Sequence, residues 1–484
     1  MSRYSYLLPA ALASLISACT LSGPDYTLPK QAMINDERAK AGFDSHDSAH
    51  VSTAELPKAD WWTLYQDPKL TDLLEQALEH NTDLRVAYHT LKQAYEGQVM
   101  AENANSLMFD ANAAAGRGQL STEGLAAPHT LPVMNLGDAN LGVNYQVDLF
   151  GKLKRATEAA TATTQAQAAL LASTRLTIMA EVTHNYLQSC HASHELGIAK
   201  KALAIQSEQT QVVKSLYEGG RETAVALAQA QAEQQRREAA LPPIETKKAT
   251  SLYQLAALLG RTPGDLPADV KNCSHAPTLS QPIPVGDGSM LLKRRPDVHQ
   301  AERQLASATA QIGVATAEMY PEITLGAHFG YTGMLEHMGD SIANSWSLMP
   351  SIKWHIPTEV DRARIRAREA GADAALAKFD GVVVNALRET QTAISHYQHS
   401  LTRLSSLKTA EQAAQQAAED NRRLYREGRL NYRQTLETDR DLAQSQAAVA
   451  ECEAQIATHQ VQLFLALGGG WHDEMPKAPN PLPK

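Results

Sequence analysis

The chain alternates between long stretches of helical periodicity and two shorter stretches where apolar residues alternate with small or polar ones. In "WWTLYQDPKLTDLLEQALEHNTDLRVAYHTLKQAYEG", Leu70, Leu73, Leu74, Ala77 and Leu78 recur at helical spacing. Leu84, Ala87, Leu91 and Ala94 repeat the pattern, and Asn81 with Asp83 predicts a helix restart between the two runs. Residues 152–217, 222–241 and 358–475 contain no proline. As one helix, 358–426 would extend for about 100 Å at the usual rise per residue. That exceeds an ordinary globular helix several fold and indicates a coiled coil or a helical tube. Ala and Gln fill many seam positions, which lets helices approach closely.

The first exception is residues 109–150. Leu141, Val143, Tyr145 and Val147 share one strand face, and Asn140, Gly142, Asn144 and Gln146 share the other. This fits a membrane strand beside a watery lumen, and equally a half-buried strand of a soluble sheet. The second exception is residues 321–356, where Trp346, Leu348, Pro350, Ile352 and Trp354 alternate with small or polar groups.

The two halves of the chain resemble one another. "SLYEGGRETAV" at 215–225 lies over "RLYREGRLNYR" at 423–433 with an offset of 208 residues, and the same register carries Gly260 onto Gly468. Upstream, Asp83, Ala87, Leu91 and Ala94 meet Asp297, Ala301, Leu305 and Ala308 at an offset of 214. Each half therefore reads helix, β-hairpin, long helix, tight turn, long helix. Two hairpins give four strands, and open strand edges cannot sit in lipid. Closure demands further copies. Three give twelve strands, within the known barrel range, whereas two give eight, whose interior is nearly filled by side chains.

Composition narrows the reading. The net charge of -9 argues against a nucleic-acid partner. Four cysteines, Cys19, Cys190, Cys273 and Cys452, are no disulfide framework for 484 residues. The apolar run Tyr6–Ala18 is too short to span a membrane, has Arg3 before it and ends on small residues, which is the layout of a secretory signal. Cys19 follows immediately and supplies a thiol for lipid attachment. His184, His191 and His194 share a helix, as do His396 and His399, but no third metal ligand is placed beside them. No nucleotide loop and no catalytic constellation is found, so no metal, no cofactor and no enzymatic activity are expected.

The motifs resemble those of the TolC-like outer-membrane efflux channels, in their lipoprotein branch. They are "ISACTLSGPDYTLP", "WWTLYQDPKLTDLLEQAL", "YQVDLFGKLKRATEAA", "RRPDVHQAERQLASA" and "LFLALGGGW", and the likeness covers about residues 16–471. The resemblance implies a mainly α fold with membrane β. A homotrimer would share a twelve-stranded β-barrel, four strands per chain, joined to a long periplasmic α-helical barrel. It also implies a periplasmic adaptor (membrane fusion) protein and an inner-membrane efflux transporter as partners, and lipid anchorage at the outer membrane. The chain departs from the pattern after Trp354, where Pro357 and Thr358 replace an expected Phe and Gly.

The expected organisation is a signal peptide (1–18), a lipidated arm (19–60), first-half helices (61–108), a membrane hairpin (109–150) and long helices (151–262). An inter-repeat linker (263–288), a second-half helix (289–320), a second hairpin (321–357), further long helices (358–470) and a tail (471–484) complete it. Cys19 is the expected lipidation site. The turns at Gly220 and Gly428 end the long helices at the periplasmic tip, with Arg221 and Arg429 as candidate adaptor contacts. The resemblance places an acidic gate after the second turn, where Glu437 stands for a usual Asp and Asp439 for a common Gln. Asp441, Tyr425 and Arg429 are further gate candidates. A threefold ring of inward carboxylates would attract cations and be closed by Arg or Tyr hydrogen bonds. The competing reading is a non-conducting periplasmic coiled-coil lipoprotein with a structural or adaptor role.

Overall fold

The structure is a computed structural model that describes residues 21–44, 50–52, 57–58, 60–121, 130–279 and 281–469. Cys19, the signal segment and the 471–484 tail lie outside the described residues. The principal elements, in chain order, are α1 (Pro68–His80), α2 (Thr82–Asn103), β1 (Met108–Gly118), β2 (Met134–Val147), α3 (Lys152–Glu218), α4 (Ala224–Ala239), α5 (Leu241–Leu258), α6 (Gly288–Arg294), α7 (Pro296–Ala317), β3 (Glu322–Met334), β4 (Asn344–Lys353), α8 (Glu359–Arg426) and α9 (Tyr432–Ala466). None of the described helices is long and apolar enough to cross a membrane.

Local chemistry explains the boundaries. Asp67 caps α1 by accepting from the backbone N–H groups of Lys69 and Leu70, with Pro68 in the first turn. Asn81 makes the expected restart. Its Oδ1 accepts from the N–H groups of Asp83 and Leu84 at 2.9 and 3.1 Å, while its Nδ2 donates to the Leu258 carbonyl. Pro242 and Pro243 fall in the first turn of α5, which separates it from α4. The corresponding arm of the second half has no proline and runs as one helix, α9.

The chain forms two compact units, and neither is one of the repeats. The first comprises Met1–Pro29, Lys92–Ala166 and Ala301–Phe379, and the second Lys30–Leu91, Gln167–Gln300 and Asp380–Lys484. Each unit therefore draws on both halves of the sequence.

In the first unit the strands form one antiparallel sheet in the order β1-β2-β3-β4. The two hairpins join through β2 and β3, from Leu136 opposite Met334 to Val147 opposite Ile323. In the second unit, Trp61 stacks on Phe464 with ring centroids 4.5 Å apart, and Leu70, Leu73, Leu74, Leu255, Leu259 and Ile283 complete a buried core. Arg295 ties this core together. It donates to the Ala466 carbonyl at 2.9 Å and pairs with Asp297 and Glu389.

The cysteine reading needs a correction. Cys190 on α3 and Cys273 in the linker form a disulfide across 83 residues, with Cα atoms 4.9 Å apart, and Cys452 is free and buried. Counting cysteines could not reveal it, because only the tertiary path of the linker brings Cys273 onto α3.

Candidate functional site

The sheet of the first unit has two chemically distinct faces. Register places Ala111, Leu141, Phe329 and Trp346 in one cross-strand row, and Phe109, Val143, Ala327 and Leu348 in the next. Tyr145 with Leu325 and Pro350, then Val147 with Ile323 and Ile352, continue this apolar face. Its large side chains stand open, with Trp346 77 %, Leu348 73 % and Ile352 72 % exposed. A patch of this kind is a surface built to be covered by something apolar.

The opposite face carries Asp110, Asn112, Asp138, Asn140, Asn144, Thr324, His328, Ser347 and Ser351. Its groups bond to one another: Asn112 and Asn140 both donate to Asp138, Asn144 donates to Asp110, and Thr324 and Ser351 are 2.7 Å apart. Gly142 makes room for this network, because a Cβ there would lie 2.4 Å from an Asp110 carboxylate oxygen. Strands of 10 to 14 residues match the length that crosses a bilayer when tilted. Neither outer edge, β1 or β4, has a strand partner among the described residues.

Beneath the sheet, still in the first unit, the "LSGPDY" arm is locked in place. The Ser22 N–H donates to the Phe150 carbonyl at 3.2 Å. The buried Arg155 guanidinium donates to the carbonyls of Ser22 and Gly23 and to Asp25. Gly23 has φ +75°, and a Cβ on it would meet Gly313 backbone at 2.5 Å. Tyr26 donates to Glu302. The altered Pro357-Thr358 passage is also satisfied, since Thr358 donates through N–H and hydroxyl to Asp361 at 2.8 and 2.9 Å.

In the second unit, α3 and α8 end in the same way. Gly220 (φ 68°) and Gly428 (φ 74°) take the left-handed conformation. The N–H groups of Arg221 and Arg429 then close onto the carbonyls of Leu216 and Leu424 at 2.8 and 2.9 Å. Three residues beyond each glycine, Thr223 and Asn431 cap the next helix, the latter in a capping box with Gln434. Gly260 and Gly468 repeat the left-handed closure at φ 67° and 75°. The internal repeat is thus a repeat of backbone conformation.

The gate candidates occupy different environments. Glu437 is exposed and pairs with Arg433 at 3.1 Å, one turn earlier on α9. Asp441 is exposed, as are Arg221 and Arg429, and Arg429 lies 3.5 Å from Glu427. Asp439 does not stand in solvent. It is 5 % exposed, and its carboxylate takes Nε and Nη2 of Arg422 at 2.8 and 2.7 Å and Gln209 Nε2 at 2.6 Å. The Tyr425 ring packs 6.1 Å from Tyr432, and its hydroxyl has no hydrogen-bond partner among the described residues. Burial, then the nearby Glu222 carboxylate, raises the Tyr425 hydroxyl above its ordinary range.

Sequence reasoning missed two partners here. Arg422 lies six residues before Gly428 and Asp439 eleven after it, so only their place on the two helices that leave the same turn hinted at the pair. Glu233 gave no hint. It is buried on α4 and meets Arg440 of α9 at 2.7 Å, with Arg236 and Arg237 beside it. Burial pushes the Glu233 carboxyl up, but the hydrogen bond and charge of Arg440 outweigh it and hold the group below its usual range.

A two-faced sheet with open edges, together with long helices that end in matched turns, defines a chain that supplies part of a membrane β-barrel and part of a helical channel. The chain belongs to the outer membrane efflux protein family, whose profile matches residues 73–261 and 288–469. It is 26% identical over 460 residues to nodulation protein T of Rhizobium leguminosarum bv. trifolii, covering 95% of this chain and 96% of that protein. It is 27% identical over 473 residues to outer membrane protein OprJ of Pseudomonas aeruginosa, covering 96% and 95%. Among solved structures, the outer-membrane channel OprN superposes with a TM-score of 0.86 at 32% identity, covering 93% of this chain and 99% of that one. The protein is accordingly the outer-membrane channel of a tripartite efflux pump in a Gram-negative bacterium and extends into the periplasm.

Proposed function

We propose that three copies of this chain close one passive, non-enzymatic conduit, each giving four strands to a twelve-stranded barrel. The observation that carries this reading is the sheet itself. Its apolar face suits lipid, its polar face suits a water-filled lumen, and its two open edges require partners. A periplasmic adaptor and an inner-membrane transporter would dock at the helix ends, where Gly220, Arg221, Gly428 and Arg429 lie exposed on the turns.

The gate we infer has two parts. Glu437 and Asp441, being exposed, are the ring carboxylates that meet permeating cations. Asp439 is the latch, because Arg422 and Gln209 hold it inside its own chain. Cys19 carries the lipid. Ser22, three residues on, is bonded beside the end of β2, which supports a lipid attached near the membrane boundary. Acyl chains supply about 0.8 kcal/mol per buried CH₂, so several chains add firm anchorage to that of the barrel.

The test is purification in detergent followed by recording in a planar bilayer. A heat-sensitive trimer with single-channel conductance is expected, and a nonconducting monomer refutes the conduit. Replacing Cys19 behind a different export signal should leave conductance intact once the trimer is assembled.

A further inference from the structure

We propose that Cys190 and Cys273 are a maturation site, oxidised after export, whose bond latches the inter-repeat linker onto the first long helix. The linker has little regular structure of its own, although Leu266, Val270, Ile283 and Val285 are buried in the core. Among the described residues from 263 to 287 its regular structure is one short helix, Ala268–Lys271, a two-residue parallel pairing of Ile283–Pro284 with Val51–Ser52, and a bridge of Asp287 with Gly42. Its ion pair, Lys69 with Asp269, spans 3.3 Å and is half exposed on both sides. Cys190, by contrast, is fully buried on α3 in the core that also holds Leu187, Leu266 and Val270. The bridge therefore adds a covalent tie between a segment with little regular structure and the buried part of α3, and the loop it closes contains the C-terminal part of α3, the turn at Gly220, α4 and α5.

The latch breaks the repeat. Turn glycines and helix caps recur at an offset of 208, but the same offset carries Cys190 onto Gln398 and Cys273 onto Pro481. Among the described residues, only the first half has a covalent clasp. Cys452 is a poor competitor for either partner, since burial, foremost, pushes its thiol up and leaves little thiolate.

The chemistry requires an oxidant of the protein-disulfide class, which the compartment beyond the inner membrane supplies. One cysteine thiolate attacks the oxidant's disulfide and expels one of its thiols, forming a mixed disulfide. The second cysteine thiolate then attacks its neighbour's sulfur and expels the other. Two protons and two electrons leave the channel, and the oxidant becomes a dithiol.

Two measurements on the purified full-length protein decide the matter. Denatured protein is tagged with a maleimide polymer before or after reduction. Reduction should add two tags to the wild type and none to C190S/C273S; the absence of the two-tag difference overturns the proposal. Native protein is also digested with trypsin, which has a single target in 263–288, Lys271. Cutting there should accelerate about tenfold or more in C190S/C273S, because local opening sets the rate, while C452S should match the wild type. If the double variant does not assemble, reducing assembled wild-type protein gives the same comparison. An unchanged rate at Lys271 after confirmed reduction overturns the latch.

Discussion

Replacing Asp439 with asparagine should open the channel. The substitution keeps the shape and leaves an oxygen for Gln209, but it deprives Arg422 of a charge partner now 2.7 Å away. Removing one member of a fully buried pair costs about 3–5 kcal/mol. The Asp439 side chain is 4% exposed but that of Arg422 is 28% exposed, so solvent recovers part of that cost and about 1–3 kcal/mol is the reasonable range. If the pair holds the closed arrangement, this shifts the closed-to-open equilibrium by about 5- to 150-fold. Single-channel recording of the trimer reads it directly as open probability. Arg422→Met should act similarly, and the double variant should add little to either single one, since each breaks the same contact. Glu437→Gln should instead lower cation preference with little change in open probability. An unchanged open probability in D439N, or full additivity with R422M, would refute the latch.

Three further predictions follow from the geometry. Gly428→Ala and Gly220→Ala force a side chain into the left-handed region at φ 74° and 68°, so each should cost about 1–2 kcal/mol in thermal unfolding, and equal stability to wild type would contradict the helix-end assignment. Leu348→Arg on the apolar face should cost about 2–4 kcal/mol and reduce the assembled yield, whereas Ser347→Arg on the polar face should assemble normally; the reverse order would invert the two faces. Burial, opposed by the Glu453 carboxylate, pushes the His191 imidazole down from 6.5 to about 4. Between those values the unfolded chain binds more protons, so stability should fall as pH drops from about 6.5 towards 4. His191→Gln should flatten that slope in urea titrations, and an unaltered slope would remove His191 as its source.

Much of this architecture is written locally. The 3.6-residue and two-residue periods gave the helices and both strand faces, because burial on one side imposes them residue by residue. Asn81 showed a helix restart, and the turn glycines showed where helices end. The register of 208 residues tied the halves together. The latch and the clasp were not legible in the same way. Asp439 was expected as a gate carboxylate, but nothing local showed that Arg422 and Gln209 surround it. Glu233 and Arg440, far apart in sequence, carry no shared motif. Cys190 and Cys273 sit in segments with no common pattern.

The sequence by itself therefore determined the kind of each element, its buried and open faces, its ends and the duplication. Tertiary structure decided how these are combined: β2 against β3 across the two halves, the "LSGPDY" arm under Arg155, the linker on α3, and the carboxylate of Asp439 turned inward. The division has a physical cause. Periodicity and capping depend on neighbours within a few residues. A strand pairing between hairpins, a disulfide or a buried ion pair depends on distances that exist only after the chain has folded back on itself.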